Sequence, residues 1–363
     1  MSRYVLLDSL QVAGGSERMM LDLVRGFPDH RLVVSRVFRD ARILLQPGDP
    51  GVRSLGTWYT RPMGRIPEAI FCFRHRTAFL EDAESVVYSG FYAPFAVQQQ
   101  GHGRRVHYCN TPPRFAYDMR EFYLERLPLP ARPAAVAFFE HIRKQYEASV
   151  ARMDVVIANS QNVRGRLAKF LGIDSHVVHP PVDTERYHWA EPEDYFVSLA
   201  RLTEYKRVEV IVRAFMRMPD RKLVVASGGP QEPFLRRLAA EASNIHFTGW
   251  TSEEGLADLI GRARAAIYIP RDEDFGISPV EAMAAGKPVI GVAEGGLLET
   301  VVDGETGFLI AAPPTVESVV DAVTRLTADG ALAMREACEA RARLFSKALF
   351  LERMKPFLDG GPR

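Results

Sequence analysis

The sequence predicts an α/β protein of two successive domains, each a parallel sheet covered by helices, and three observations predict it. At 363 residues the chain exceeds what one hydrophobic core comfortably serves. Short apolar runs alternate with helical patterns along its length, the arrangement that gives parallel sheets buried on both faces. The alternation also begins afresh after a stretch rich in proline and charge, "HPPVDTERYHWAEPEDY", residues 179–195.

Taken in order, Tyr4–Asp8 reads as a strand, followed by the turn "QVAGG" and a helix from Ser16 with Met19, Met20, Leu23 and Val24 on one face. Further strands are expected at 32–38, 85–90, 105–109 and 154–160. Residues 179–195 read as an interdomain linker. Beyond it, strands are expected at 195–200, 222–228, 244–250, 265–270 and 288–293, and after "TGFLI" (306–310) helices to about Lys355 before a frayed end. The expected domains are therefore 1–185 and 186–345, with a C-terminal helix and tail, 346–363, packing back toward the first. Open α/β sheets bind ligands outside the carboxyl ends of their strands. Two such domains facing one another make an interdomain cleft, so motifs at strand ends carry the function.

Composition narrows the class. A 47% hydrophobic, 25% charged chain with a formal charge of +1 is a folded domain protein without the basic excess expected of a nucleic-acid binder. The charge is uneven, with 24 Lys/Arg against 19 Asp/Glu in residues 1–185 and 22 against 26 in the remainder. Cys72, Cys109 and Cys338 lack C-x-x-C spacing, so neither zinc nor a disulfide framework is indicated. No run is long and apolar enough to span a bilayer, and the N-terminus does not read as a signal peptide. A cytoplasmic location is the expectation.

The densest motif is "RDEDFGISPVEAMAAGKPVIG", 271–291, directly after an expected strand. Ser278, Pro279 and Glu281 read as a capping box with proline at the first helical position, which aims free N–H groups at the strand end. Such a terminus attracts anions and hydroxyl oxygens. Gly286 is expected to end the helix in the left-handed region, with Pro288 barring its continuation. Capping alone explains Glu281 as well as a ligand does. Glu273 has no evident role in folding, and Gly276 lets backbone approach a ligand closely. Arg201 and Lys206 follow another strand at a spacing that is not one helical face. Gly295 and Gly296 open a further strand-to-helix turn and are an expected source of amides for the same phosphates. "HYCNTPPR", 107–114, ends a strand of the first domain with Asn110 at its exit.

Glu273 and Glu281, eight positions apart around "FG", resemble the hallmark of the retaining glycosyltransferases of the GT-B fold, glycosyltransferase family 4 (group 1), with two Rossmann-like domains. The resemblance extends through "AGGSERMMLDL", "IANSQNVRGRL", "HPPVDTERY", "LARLTEYKR", "FGISPVEAMAAGKPVI" and "GGLLETVVDGETGFLI", in the family's order. It implies that Glu281 binds the ribose hydroxyls of a nucleotide sugar and that Glu273 lies by the donor sugar. The backbone of Phe275, Gly276, Ile277 and Ser278 would hold that sugar's hydroxyls, and Arg201 and Lys206 would grip the diphosphate. Gly14 and Gly15 would lie near the donor phosphate and the acceptor, and Trp250 and Thr251 near the base. No cofactor beyond the nucleotide-sugar co-substrate is implied. The run Asp272–Glu273–Asp274 superficially offers a D-x-D metal motif, but Arg201 and Lys206 already supply the positive charge, so no metal is expected.

"YCNTPPR" resembles a Y-C-H-T-P-P-R signature of bacterial mannosyltransferases that build lipopolysaccharide and exopolysaccharide, which points to GDP-mannose. Asn110 stands where the family's residue is a histidine, so proton transfer gives way to a positioning role. The acceptor implied is a saccharide, lipid-linked, met at the inner face of the cell membrane. Residues 61–80, with Arg61, Arg65, Arg74 and Arg76 among Ile70, Phe71, Phe73 and Phe79, could lie at that surface, although an ordinary amphipathic helix packed on the sheet is the plainer reading. A UDP-sugar donor and a non-catalytic nucleotide-sugar-binding protein are the alternatives.

Overall fold

The computed structural model describes residues 2–11, 14–45, 48–49, 51–56 and 64–359. The chain packs as two units, one formed by residues up to His179 together with those from Phe350 onward, the other by Pro180–Leu349.

In the first unit the strands β1 (Ser2–Leu7), β2 (His30–Val34), β3 (Arg53–Ser54), β4 (Ala83–Ser89), β5 (Arg104–Cys109), β6 (Val155–Ala158) and β7 (His176–Val177) form one sheet in the order β3-β2-β1-β4-β5-β6-β7. Every pairing is parallel, with Val5 opposite Leu32 on one side and Val87 on the other. Alternation along β1 sends Tyr4 and Leu6 into one core and Val5 and Leu7 into another, so both faces of the sheet are covered. The helix Lys347–Leu358 sets Phe350, Met354 and Leu358 into the second of these cores.

The second unit continues with β8 (Tyr195–Ser198), β9 (Lys222–Val225), β10 (Ile245–Phe247), β11 (Ala265–Tyr268), β12 (Val289–Val292) and β13 (Gly307–Ile310), in the order β10-β9-β8-β11-β12-β13 and again all parallel. In each sheet the connections run outward both ways from a central pair, β1/β4 in one and β8/β11 in the other. Those pairs are the topological switch points, where loops leaving adjacent strands diverge and leave room for a ligand.

Three differences from the expected elements have physical causes. The two-residue edge strands β3 and β7 are too short to show periodicity, and β13 sits in a segment marked only by its glycine turn. Second, residues 179–195 are not a free linker. Val182 and Tyr187 are buried in the second core, and the Ala190 and Glu193 amides bond to the Gly261 and Arg262 carbonyls at 3.0 and 2.7 Å. By packing, the second unit accordingly begins at Pro180. Third, the helix within 61–80 is Arg65–His75. It buries Ala69, Cys72 and Phe73 while Ile66 and Phe71 stay exposed, and Arg61 lies outside the described residues. Among the described residues no helix is long and apolar enough to cross a membrane.

Candidate active site at the second switch point

Loops leaving β8 and β11 meet beyond the carboxyl end of the second sheet. After β8 the chain makes a tight turn at Glu204–Lys206 and passes through Arg207 in the left-handed region (φ 54°) into the helix Val208–Met216. The loop after β11 is laced to it: the Arg271 amide bonds to the Tyr205 carbonyl at 2.7 Å, and Arg207 pairs with Glu294, whose carboxylate also accepts the Asp272 amide at 3.4 Å.

Lys206 lies at the centre of this arrangement. Its ammonium donates to Glu273 Oε2 at 2.5 Å and to the Tyr268 hydroxyl at 3.0 Å. Both charged side chains are largely enclosed, Lys206 at 13% and Glu273 at 18% exposure. Burial works against the lysine charge, but Tyr268 and Glu273 outweigh it and hold the ammonium above the ordinary lysine range. Burial, reinforced by the Glu273 charge, pushes the Tyr268 phenol up, so it remains neutral near pH 7. Arg201 is exposed at the end of the β8 loop, and among the described residues its guanidinium has no ion-pair partner.

The helix that follows runs Ile277–Ala284 and starts from Gly276 at φ 94°, a conformation L side chains rarely adopt. This corrects the expected capping box. Ser278 is the second helical residue rather than the cap, the cap position falls on Gly276, which has no side chain to offer, and Pro279 sits third, where its missing N–H is still among those a helix leaves unpaired. Glu281 accepts the Tyr187 hydroxyl at 2.9 Å. The other end is as expected, with Gly286 at φ 68°.

Gly296 does not offer its amide as expected. The Gly296 amide donates to the Glu273 carbonyl at 2.8 Å and so is not on offer to a phosphate. A Cβ on Gly296 would stand 2.4 Å from Phe275 Cα, and one on Gly295 would stand 2.5 Å from the Glu273 carbonyl oxygen. These glycines let the turn after β12 press against residues 272–275 and fix where Glu273 points.

Trp250 is 72% exposed, with its indole laid on Gly228 beyond β9, where a Cβ would meet Nε1 at 2.5 Å. Thr251 shares a hydroxyl contact of 3.1 Å with Thr248, and Ser252 caps the helix Glu253–Arg262 through the Gly255 amide. Among the described residues no group of three or more His, Cys, Asp or Glu converges as a metal ion would need.

The first unit holds the remaining expected residues. Gly14 precedes the helix Gly15–Gly26, which begins one residue before the expected Ser16. Asn110 leaves β5 with Nδ2 donating to Ser89 Oγ at 3.1 Å, at the end of β4. His107 is fully buried, its ring bonded to the Tyr88 carbonyl and the Tyr146 hydroxyl, and burial pushes its pKa down to about 4. Arg114 pairs with Asp118. Sequence reasoning passed over Asp8 at the β1/β4 switch point, where the carboxylate accepts the amides of Phe91, Tyr92 and Ala93 at 2.7, 2.8 and 2.7 Å. It passed over Tyr268 and Tyr187 as well. The available signals were a carboxylate closing an apolar strand and a tyrosine in one otherwise aliphatic.

The chain as a whole is similar to known proteins. Residues 13–186 match Glycosyltransferase Family 4 and residues 182–345 match Glycosyl transferases group 1, together nearly the whole chain. The chain belongs to these glycosyltransferases. Its fold is GT-B: the Anabaena protein Alr3699/HepE, solved with UDP and glucose, superposes with a TM-score of 0.78 at 16% identity, covering 99% of this chain and 100% of that one. A GDP-mannose-dependent alpha-(1-6)-phosphatidylinositol monomannoside mannosyltransferase of Mycolicibacterium smegmatis is 32% identical over 207 residues, 48% of this chain and 53% of the relative. A D-inositol 3-phosphate glycosyltransferase of Streptomyces scabiei is 31% identical over 193 residues, 44% and 43%. The matches thus span about half the length of these curated relatives.

Proposed function

We propose that this glycosyltransferase moves mannose from GDP-mannose onto a hydroxyl of a saccharide acceptor, with retention of anomeric configuration and without a metal ion. The observation that carries the reading is the Lys206–Glu273 pair beside the helix start at Gly276–Ser278, all at one switch point. A departing nucleoside diphosphate gains negative charge, and fixed cations and N–H donors stabilise it most in the transition state. Lys206 and Arg201 are the cations, and Glu281 with Tyr187 is a polar pair suited to ribose hydroxyls. Glu273 and the backbone of Phe275–Ser278 suit a neutral, hydroxyl-rich ring.

The bond from the anomeric carbon to the diphosphate breaks as the bond to the acceptor oxygen forms on the same face. The acceptor proton passes to the departing diphosphate oxygen, so no protein nucleophile takes part. Asn110 positions sugar hydroxyls, in keeping with an amide that both donates and accepts. The mannose preference rests on "YCNTPPR" and on the mycobacterial relative's named donor. A UDP-sugar donor is the second reading, favoured by the likeness to the Anabaena protein solved with UDP and glucose. The acceptor in this reading is lipid-linked, and the reaction belongs to cell-surface polysaccharide assembly on the cytoplasmic side of the membrane.

A thermal-shift screen of GDP-mannose, UDP-glucose and UDP-N-acetylglucosamine tests the donor, because a ligand at 100 times its dissociation constant stabilises by about 2.7 kcal/mol. GDP-mannose is expected to give the largest shift, and a larger one from either UDP-sugar refutes mannose. Turnover is expected to persist in EDTA; loss with EDTA and recovery with manganese would overturn metal independence.

A further inference from the structure

We propose that the Lys206–Glu273 ion pair is a latch that the donor's diphosphate opens, with Tyr268 as the fixed post on which Lys206 turns from carboxylate to phosphate. This rests on the reading of Lys206 as a diphosphate ligand given above.

An enclosed ammonium is costly without a counter-charge. In the structure Glu273 supplies that charge at 2.5 Å. A diphosphate arriving at Lys206 brings negative charge beside the same carboxylate, and like charges at such a distance repel. The ammonium therefore cannot serve both at full strength, and the pair must part. Tyr268 makes the exchange possible without releasing the lysine. Its hydroxyl accepts from Nζ at 3.0 Å, its side chain is only 6% exposed at the end of β11, and its position is fixed by strand pairing rather than by a loop. Once Lys206 has turned, Glu273 is released toward the sugar, so donor arrival itself readies that carboxylate. In the structure the two groups instead neutralise each other. Tyr268 is a positioning residue in this scheme, acting on the donor only through Lys206.

The latch reverses the naive expectation for Glu273. Removing its charge should strengthen, not weaken, the binding of a bare diphosphate. The test uses inorganic pyrophosphate, which carries neither base nor sugar, titrated calorimetrically into the full chain and its variants. Glu273→Gln is expected to bind pyrophosphate about tenfold or more tightly than wild type. In a Lys206→Met background the same substitution should give no gain, since there is no latch to open; that double variant also leaves no unpaired buried charge to unfold it. Tyr268→Phe, added to Glu273→Gln, should return roughly two- to tenfold of the gain, the worth of one hydrogen bond, with the melting temperature nearly unchanged. Equal or weaker binding by Glu273→Gln overturns the proposal. So does a gain that survives undiminished in Lys206→Met, because simple repulsion would then explain it. GDP and UDP titrated alongside separate the two readings: if neither binds better than pyrophosphate, the nucleotide-sugar assignment fails while the latch stands on the pyrophosphate cycle.

Discussion

Gly296→Ala separates two roles that a glycine at this turn could have. If its amide bound phosphate directly, alanine would keep the N–H and change little. In the structure the amide is committed to the Glu273 carbonyl at 2.8 Å, and an added Cβ would fall 2.4 Å from Phe275 Cα and 2.6 Å from the Asp274 carbonyl oxygen. Relaxed contacts of this kind are about 3.4 Å or more, so residues 272–275 must yield by roughly 1 Å. Both clashing atoms are backbone and cannot be relieved by a rotamer change. Overpacking of this sort costs roughly 1–3 kcal/mol. A displacement of about 1 Å in a positioning loop costs on the order of 100-fold in rate. The variant should therefore remain folded, with a lowered melting temperature by circular dichroism, while initial-rate sugar transfer falls about 100-fold at saturating donor. Wild-type turnover in Gly296→Ala would refute this reasoning and return the glycine to a phosphate-binding role.

Two further outcomes follow from buried polar groups. Lys287 is 2% exposed, donates to the Ala190 carbonyl at 2.9 Å and lies over Trp189; burial, with Arg335 nearby, pushes its pKa down to about 8. Between pH 8 and the ordinary lysine value the unfolded chain binds a proton that the folded chain has lost, so this group's contribution to stability rises with pH across that window by about 3 kcal/mol. Urea midpoints should show the rise in wild type relative to Lys287→Met, and parallel curves would contradict the shift. Tyr187→Phe removes the hydroxyl bonded to Glu281 and is expected to weaken nucleoside diphosphate binding about two- to tenfold by calorimetry, leaving pyrophosphate binding unchanged. A loss for both ligands would place Tyr187 at the phosphates instead.

How much of this was legible in the sequence depended on whether a residue type has one physical use or several. Glu273 stands out because a charged group at the mouth of an apolar strand rarely serves the core, whereas the diphosphate role expected of Arg201 and Lys206 comes from the family resemblance. Glycine has two uses, a donor N–H and a missing side chain. The sequence therefore points to Gly295 and Gly296 as amide donors, while the close approach of residues 272–275 shows what the missing side chains do and commits the Gly296 amide. Proline is tolerated at several positions of a first helical turn, so Pro279 could not fix the register of its helix, and the expected capping box was displaced. A packed loop and a free linker can share a composition. Burial of Val182 and Tyr187 and the Ala190 and Glu193 amide bonds show that residues 180–195 are packed as part of the second unit. Tyr268 was hidden because an aromatic residue in a buried strand reads as core filling, and its hydroxyl partner is 62 positions away in sequence.

The two switch points also show why position alone does not assign chemistry. Each has a carboxylate just beyond its strands, Asp8 in the first sheet and Glu273 in the second. Asp8 spends both oxygens on three backbone amides of the turn after β4, and a Cβ on Gly90 would fall 2.4 Å from its carboxyl carbon. Burial pushes its pKa up to about 6 against those bonds, so near neutral pH it is a charge fixed by backbone and closed on the side of Gly90. Glu273 meets a cation instead, on a loop held by glycine packing, and that cation has a second acceptor in Tyr268. A carboxylate satisfied by backbone can only hold a loop in place. One paired with a lysine that has a second acceptor can change partners when an anion arrives, and that difference in pairing is the physical ground on which the donor site is proposed for the second unit.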